Sequence, residues 1–290
     1  MERYEIAIVG TGPAGLEAAI TAKIRNKKII LIGSKDSSVK VEKAHEIQNY
    51  LGLPKISGEN LKKAYLDHLA SMDIEITEDR VVSIYSYGDY FALQTKEGMV
   101  EADAVILATG VMAGKMYPGE EALLGRGVSY CATCDAPLYK GKVTAVIASS
   151  PKEEDEANFL AEYADKVIYF PLYEGDVHTN EAVEVIHEKP TEILGEMKAT
   201  TLKTNANEYA IDGVFILREA VSPGQLVPGL ETEGPHVKVN LDMSTNIKGC
   251  FACGDIAGTP YQYIKSAGQG NVAALSAVNY LAEKQRNQTK

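Results

Sequence analysis

Gly10-Thr11-Gly12-Pro13-Ala14-Gly15 joins the apolar run from Tyr4 to Val9 to an apolar-striped segment from about Pro13 to Arg25. The order is strand, glycine turn, helix, and the turn is a full G-x-G-x-x-G. Gly10 permits the tight turn, Gly12 lets a pyrophosphate approach the backbone, and Gly15 lets helix and strand pack closely. The helix N-terminus offers amide donors and the positive end of its dipole to phosphate. A second strand, Lys28 to Ile32, completes a βαβ unit. Such a unit requires parallel pairing and so predicts an α/β, doubly wound sheet.

Beyond this unit come a polar loop, a helix near Asn60 to Ser71, and alternating strands from Arg80 to Leu93. A buried strand, Ala102 to Ala108, ends in Thr109-Gly110. A second strand–helix–strand follows at Lys142 to Ala148, Ser150 to Tyr163 and Lys166 to Phe170. From about Asn240 the chain carries one more strand, Gly249 to Cys253, and a last helix, about Ser266 to Lys284. The expectation is two Rossmann-type domains, with 114–239 inserted into a discontinuous domain formed by 1–113 and 240–290.

The 290 residues suffice for two domains with cores of their own, so no disulfide staples are needed. The net charge of −11 argues against nucleic acid or an anionic membrane as the main partner. No stretch approaches the ~20 apolar residues of a membrane span. Met1-Glu2-Arg3-Tyr4-Glu5 with four apolar residues after it is too short and too acidic for a signal peptide, so a cytoplasmic location is expected. Of four cysteines, Cys131 and Cys134 form a C-x-x-C, which in a reducing compartment means redox chemistry or a metal site. A zinc site would need Cys250 and Cys253 as its other half. Those two sit in a strand, about 10 Å apart on opposite faces, and read as small core residues. His45, His68, His178, His187 and His236 show no ligand spacing, and no metal is expected.

Two distant segments join the glycine turn. Ala108-Thr109-Gly110 ends one strand, and Gly249-Cys250-Phe251-Ala252-Cys253-Gly254-Asp255 ends another, followed by Gln262. With Gly127-Val128-Ser129-Tyr130-Cys131-Ala132-Thr133-Cys134-Asp135, the chain resembles the low-molecular-weight thioredoxin reductases over most of its length. That resemblance implies a homodimer, FAD on the discontinuous outer domain, and the C-x-x-C on the inserted one. It assigns FAD contacts to Gly10, Gly12, Pro13, Ala14, Gly15, Asn49, Val81, Ala108, Thr109, Gly110, Gly254, Asp255, Gln262, Tyr263 and Ile264. It makes Cys134 the flavin-facing thiol, Cys131 the thiol that attacks thioredoxin, and Asp135 the acid that protonates a leaving thiolate. Thiol exchange of this kind needs a lowered pKa on one thiol and a nearby proton source.

The chain also departs from that family. The acid about 20 residues after the first glycines is missing, and Gly33-Ser34-Lys35-Asp36 leaves Asp36 as a substitute for the ribose. Tyr261 stands where the family has an arginine before Gln262. The second nucleotide turn reads Ala148-Ser149-Ser150-Pro151-Lys152-Glu153-Glu154-Asp155-Glu156, without glycine. Ser150, Pro151 and Glu153 suggest a capping box instead, and the acidic run at a helix start repels a pyrophosphate. No arginine lies between Arg126 and Arg218 to hold a 2′-phosphate. This pattern resembles the ferredoxin-dependent flavin thioredoxin reductases, which keep FAD and the C-x-x-C and lack pyridine-nucleotide motifs. The expected donor is therefore ferredoxin, with flavodoxin also open, docking on Lys23, Arg25, Lys27, Lys28, Lys35, Lys40 and Lys43. Two rivals stay open: an NADPH-dependent thioredoxin reductase with a divergent site, and a flavin-binding redox sensor without turnover.

Overall fold

The structure, a computed structural model, describes residues 3–35, 39–42, 44–111, 116–120, 122–130, 132–217 and 223–288. It divides into two compact units, Met1–Met112 with Ser222–Lys290, and Ala113–Val221.

The first segment runs β1 (Tyr4–Val9), α1 (Pro13–Ile24), β2 (Ile29–Gly33), α2 (Val39–Glu42), α3 (Gly58–Ser71), β3 (Ile76–Glu78), β4 (Val81–Ser86), β5 (Phe91–Thr95) and β6 (Met99–Leu107). β1 pairs in parallel with β2 and β6, while β4, β5 and β6 form an antiparallel meander. α1 buries nearly its whole circumference, including Leu16, Ala18, Ala19 and Ile20, so it is a core helix rather than an amphipathic surface one. α3 is capped by Ser57, whose hydroxyl accepts from the Asn60 amide at 3.2 Å.

The inserted unit holds β7 (Val128–Ser129), α4 (Ala132–Asp135), β8 (Val143–Ala148), α5 (Glu154–Leu160), β9 (Lys166–Pro171), β10 (Val183–Val185), β11 (Pro190–Leu194), β12 (Thr201–Thr204), β13 (Glu208–Ala210) and β14 (Gly213–Leu217). Its parallel sheet runs β10-β9-β8-β14-β7, and β11-β12-β13 form a separate antiparallel sheet. Successive residues of β8 and β14 enter two different cores, Ala145, Ile147, Val214 and Ile216 one, Val146, Ala148, Phe215 and Leu217 the other. A parallel sheet covered on both faces has this pattern.

The chain then adds α6 (Pro223–Leu226), β15 (Thr232–Glu233), β16 (His236–Val237), β17 (Cys250–Ala252) and α7 (Tyr263–Gln288) to the first unit. Residues 223–239, expected in the inserted domain, pack in the first unit, where Leu226, Val227 and Val237 are buried. α7 starts at Tyr263, earlier than expected, which places Tyr263 and Ile264 in its first turn. Its Gly270 lies so close to α1 that an added Cβ would stand 2.1 Å from the Ala14 carbonyl oxygen. β17 pairs with the second half of β6, whose first half pairs with β5. The register sets Val9 beside Ile32 and Leu107, and Leu107 beside Ala252. Four parallel strands thus reach one line at Val9, Ile32, Leu107 and Ala252, and the next residues along the chain are Gly10, Gly33, Ala108 and Cys253. The carboxyl ends of such strands are where open α/β sheets hold their ligands.

Candidate functional site

At that line the glycines differ in what surrounds them. A Cβ on Gly10 would meet the Ala108 carbonyl oxygen at 2.3 Å, and its φ of +116° is open to glycine alone. A Cβ on Gly15 would stand 1.8 Å from the Gly10 carbonyl oxygen. Gly12, by contrast, faces open space. It is the N-cap of α1 and supplies no side-chain cap, so the first-turn amides face outward without an internal acceptor from that position. Closed glycines on either side of an open one form a cradle that fits a pyrophosphate. Thr11 ties the turn to the end of β2 through a 2.9 Å hydrogen bond from its hydroxyl to the Ser34 carbonyl. Asp36, the substitute for the missing ribose acid, lies outside the described residues.

On the other side, three α7 side chains hold the loop after β17. The Lys265 ammonium donates to the carbonyls of Gly254 (2.8 Å) and Gly258 (2.6 Å). The Ser266 hydroxyl donates to Asp255 at 3.2 Å, and Gln269 accepts from the Gly254 amide at 3.0 Å. Burial pushes the Lys265 pKa down, against Asp255, which raises it. Asp255 is thereby fixed at a strand end beside the pyrophosphate cradle. The Asn49 amide donates to Gln262 at 2.6 Å and draws the 44–50 loop to the start of α7. The two segments line an open cleft of about 360 Å³, with Tyr261 and Tyr263 on its α7 side. The Tyr261 hydroxyl lies 2.7 Å from Nε2 of His236 on β16.

The structure therefore brings Gly10, Gly12, Gly15, Ala108, Gly254 and Asp255 to one edge, and Asn49, Gln262 and Tyr263 to the adjoining cleft. Pro13 and Ala14 form the first turn of α1, Thr109 and Gly110 continue from Ala108, and Ile264 is partly exposed on α7. Val81 is buried at the start of β4 opposite Thr95, outside the strand-end line. Lys265 is not among the residues the resemblance assigns, although its place in the first turn of the helix after Gly254-Asp255 is a usable signal. His236 carried none, being 25 residues from Tyr261.

In the inserted unit, Cys131 and the side chain of Cys134 lie outside the described residues. Their flanks are well fixed. The Ser129 hydroxyl, 3% exposed, donates to Asp135 at 2.7 Å and orients the expected acid. The Tyr130 hydroxyl donates to Glu120 at 3.0 Å, and Glu120, fully buried, accepts also from the Tyr117 amide at 2.8 Å. Cys250 and Cys253 are fully buried, and burial pushes each thiol pKa up to about 12. Such thiols are inert core groups, not exchange partners.

The second β-turn-α junction corrects the sequence reading. Ser150 makes no side-chain cap bond, and a 3-10 turn, Pro151–Glu153, stands where a capping box was expected. Glu153, Glu154 and Glu156 are buried rather than solvated at the helix start. The reason is the segment after β9. The Tyr173 hydroxyl donates to Glu154 at 2.5 Å, and the His178 backbone amide donates to its other oxygen at 3.0 Å. The Asn180 amide donates to Asn158 at 2.8 Å. Residues 173–180 are thus strapped to α5. Tyr169 joins through a 2.9 Å contact with the Tyr173 hydroxyl, and burial, with Glu154 adding to it, pushes the Tyr173 pKa up to about 12.

Comparison with known proteins places this geometry. Residues 4–168 match the family described as pyridine nucleotide-disulphide oxidoreductase, and the chain belongs to that family. Within it the relatives are thioredoxin reductases, such as that of Aquifex aeolicus, 31% identical over 98% of this chain and 95% of the relative. Two solved structures of a ferredoxin-flavin thioredoxin reductase from Clostridium acetobutylicum are closer in sequence. One is 54% identical with a TM-score of 0.89, the other 49% with 0.91, and both cover 98% of this chain and 99% of theirs. Members of the family bind FAD, and FAD is the cofactor here. Among the described residues no helix is long and apolar enough to cross a membrane.

Proposed function

We propose that the chain is a thioredoxin-disulfide reductase that receives electrons from reduced ferredoxin and passes them through FAD and the Cys131–Cys134 pair to thioredoxin. The observation that carries the choice of donor is the second junction. Where a nicotinamide dinucleotide would need an open glycine turn, a buried Glu154 binds Tyr173 and the His178 amide. A pyrophosphate there would have to displace these bonds and approach carboxylates.

FAD, when bound, supplies a two-electron store between a one-electron carrier and a dithiol. Gly10, Gly12 and Gly15 would hold its pyrophosphate, and Asp255, braced by Ser266, a hydroxyl of its sugar chain. Cys134 is the thiol that takes the electron pair, Cys131 the nucleophile toward thioredoxin, and Asp135 the proton source, oriented by Ser129. The inserted domain is the redox domain, and the working form is a cytoplasmic homodimer. For ferredoxin docking, the cations of the α1–β2 region count unequally. Lys27 is ion-paired with Glu5 at 2.8 Å, and Lys23 donates to the Asp73 carbonyl. Arg25, Lys28 and Lys35 are exposed, while Lys43 and the side chain of Lys40 lie outside the described residues.

The test is anaerobic mixing of the FAD-loaded protein with reduced ferredoxin and, separately, with NADPH, followed by flavin absorbance. Ferredoxin bleaches the flavin and supports thioredoxin reduction. Rapid stoichiometric bleaching by micromolar NADPH overturns the assignment.

A further inference from the structure

The donor proposed above raises a question of balance that a nicotinamide donor does not. A hydride carries its hydrogen together with both electrons. Two one-electron carriers deliver two electrons and no proton, yet conversion of oxidised flavin to the anionic reduced form consumes one proton. On this reading of the donor, that proton has to reach the flavin site from solvent.

The cleft offers one built path. Tyr261 lines it beside Gln262 and Asn49, and is 48% exposed. Its hydroxyl lies 2.7 Å from His236 Nε2, with ring centroids 5.9 Å apart. His236 is half-buried on a two-stranded ribbon, so its ring reaches both solvent and Tyr261. We infer that His236 and Tyr261 form a proton relay from solvent into the flavin cleft, His236 holding the proton and Tyr261 passing it on through its hydroxyl. A phenol hydrogen-bonded to an imidazolium donates one proton inward as it accepts another from behind, so Tyr261 returns to its starting state and His236 is left one proton short. After transfer, the imidazole reprotonates from water.

Charged groups lie on the elements packed against β16. Glu233 faces it across the β15–β16 pair, and Asp255 lies on the 3-10 turn packed against β16. Glu231 and Lys238 flank it in the ribbon, joined by a backbone hydrogen bond, while α6 brings no charged side chain.

The experiment measures flavin reduction in the FAD-loaded protein with two chemical donors. Dithionite supplies single electrons and no proton. A small dihydronicotinamide, 1-benzyl-1,4-dihydronicotinamide, supplies hydride. In the wild type the dithionite rate falls as pH rises and shows a solvent deuterium isotope effect. His236→Gln and Tyr261→Phe each slow the dithionite reaction by roughly 10- to 100-fold and abolish its pH dependence and isotope effect. Reduction by the hydride donor proceeds at the wild-type rate in both. Added imidazole restores the dithionite rate of His236→Ala. By nuclear magnetic resonance, Tyr261→Phe moves the His236 Nε2 resonance, because that nitrogen loses its hydrogen-bond partner. Dithionite rates that do not change in the variants, or that fall equally with both donors, overturn the relay. Because dithionite replaces ferredoxin, a failure of ferredoxin to reduce the wild type counts against the donor and not against the relay.

Discussion

Gly12 and Gly15 sit three residues apart in one turn, yet alanine at each should fail differently. At Gly15 the new methyl would lie 1.8 Å from the Gly10 carbonyl oxygen, 2.9 Å from its carbon and 3.3 Å from Ala108 Cβ. The nearest atoms are backbone, and Gly10 is held by a 2.8 Å hydrogen bond from its amide to the Ile32 carbonyl, so nothing flexible can yield. Overpacking of this sort costs about 1–3 kcal/mol or more, against about 1 kcal/mol gained by replacing glycine inside a helix. With the nearest backbone oxygen at 1.8 Å the cost lies at the upper end, so a net loss of about 2 kcal/mol or more follows, which lowers the Tm of the FAD-free protein by roughly 2–4 °C per kcal/mol. At Gly12 the backbone is at φ −80°, ψ 178°, which alanine adopts freely, and no atom lies within 4 Å of the new methyl. The FAD-free protein should change by less than about 0.5 kcal/mol. The methyl stands instead where the pyrophosphate must approach, and the loss of about 1–3 kcal/mol of hydrogen bonding weakens FAD binding by roughly 5- to 150-fold. Thermal unfolding of deflavinated protein and fluorescence titration with FAD separate the two. Wild-type FAD affinity in Gly12→Ala, or equal destabilisation by both changes, would refute the cradle.

The redox pair should be inequivalent: Cys134→Ser traps thioredoxin as a mixed disulfide on Cys131, and Cys131→Ser gives a long-wavelength charge-transfer band, each with FAD retained and turnover abolished. The double change Cys250→Ala with Cys253→Ala leaves turnover near normal, as expected of inert buried thiols. Glu154→Gln weakens the anchorage of Tyr173 and His178 and lowers stability by about 1–3 kcal/mol in urea unfolding, without conferring NADPH binding, because Asn158 still holds the strap. For Glu5, burial raises the pKa, but Lys27 and the Lys28 amide outweigh it and the net shift is below the ordinary 4.5. Its stabilising contribution, well under about 1 kcal/mol for so exposed a pair, is present above pH 4.5 and lost as pH falls through the depressed folded value. Glu5→Gln should therefore flatten the acid limb of the stability profile between those two values, as read from Tm against pH.

The fold of the first unit was legible because it rests on local signals. Strand β1, the glycine turn and α1 are contiguous, and their spacing alone fixes parallel pairing. The contents of the sites were less legible where partners are distant in sequence. Asp255 could be read from its place after a strand, but the Lys265 clamp depends on which way one helical turn faces. His236 and Tyr261 meet only because a two-stranded ribbon returns to the start of α7. The local signal for a capping box at Ser150 is overridden by tertiary bonds. Glu154 gains two donors by turning inward, and the first turn tightens into a 3-10 geometry to permit it. The return of the chain to the first unit before residue 223, rather than at 240, was likewise hidden. Leu226, Val227 and Leu230 mark burial but not which core receives them.

The two β-turn-α junctions make a controlled comparison inside one molecule. Both follow a parallel strand and both place proline at the helix start, Pro13 in one and Pro151 in the other. In the first, glycines keep side chains away and the first-turn amides face an open cradle. In the second, Ser149, Ser150 and three buried glutamates occupy the junction, and the chain after the next strand supplies Tyr173 and the His178 amide to satisfy Glu154. A parallel sheet is present in both units, and apolar residues such as Val146 and Phe215 are buried on it. A dinucleotide site on this fold is therefore a local property of six turn residues and the strap that faces them. Filling it from within leaves the scaffold free to present the C-x-x-C segment, whose neighbours Ser129, Tyr130 and Glu120 are fixed by bonds of their own. Placing glycines at 149 and 151 alone should accordingly leave the junction closed, because the strap bonds at Glu154 and Asn158 remain.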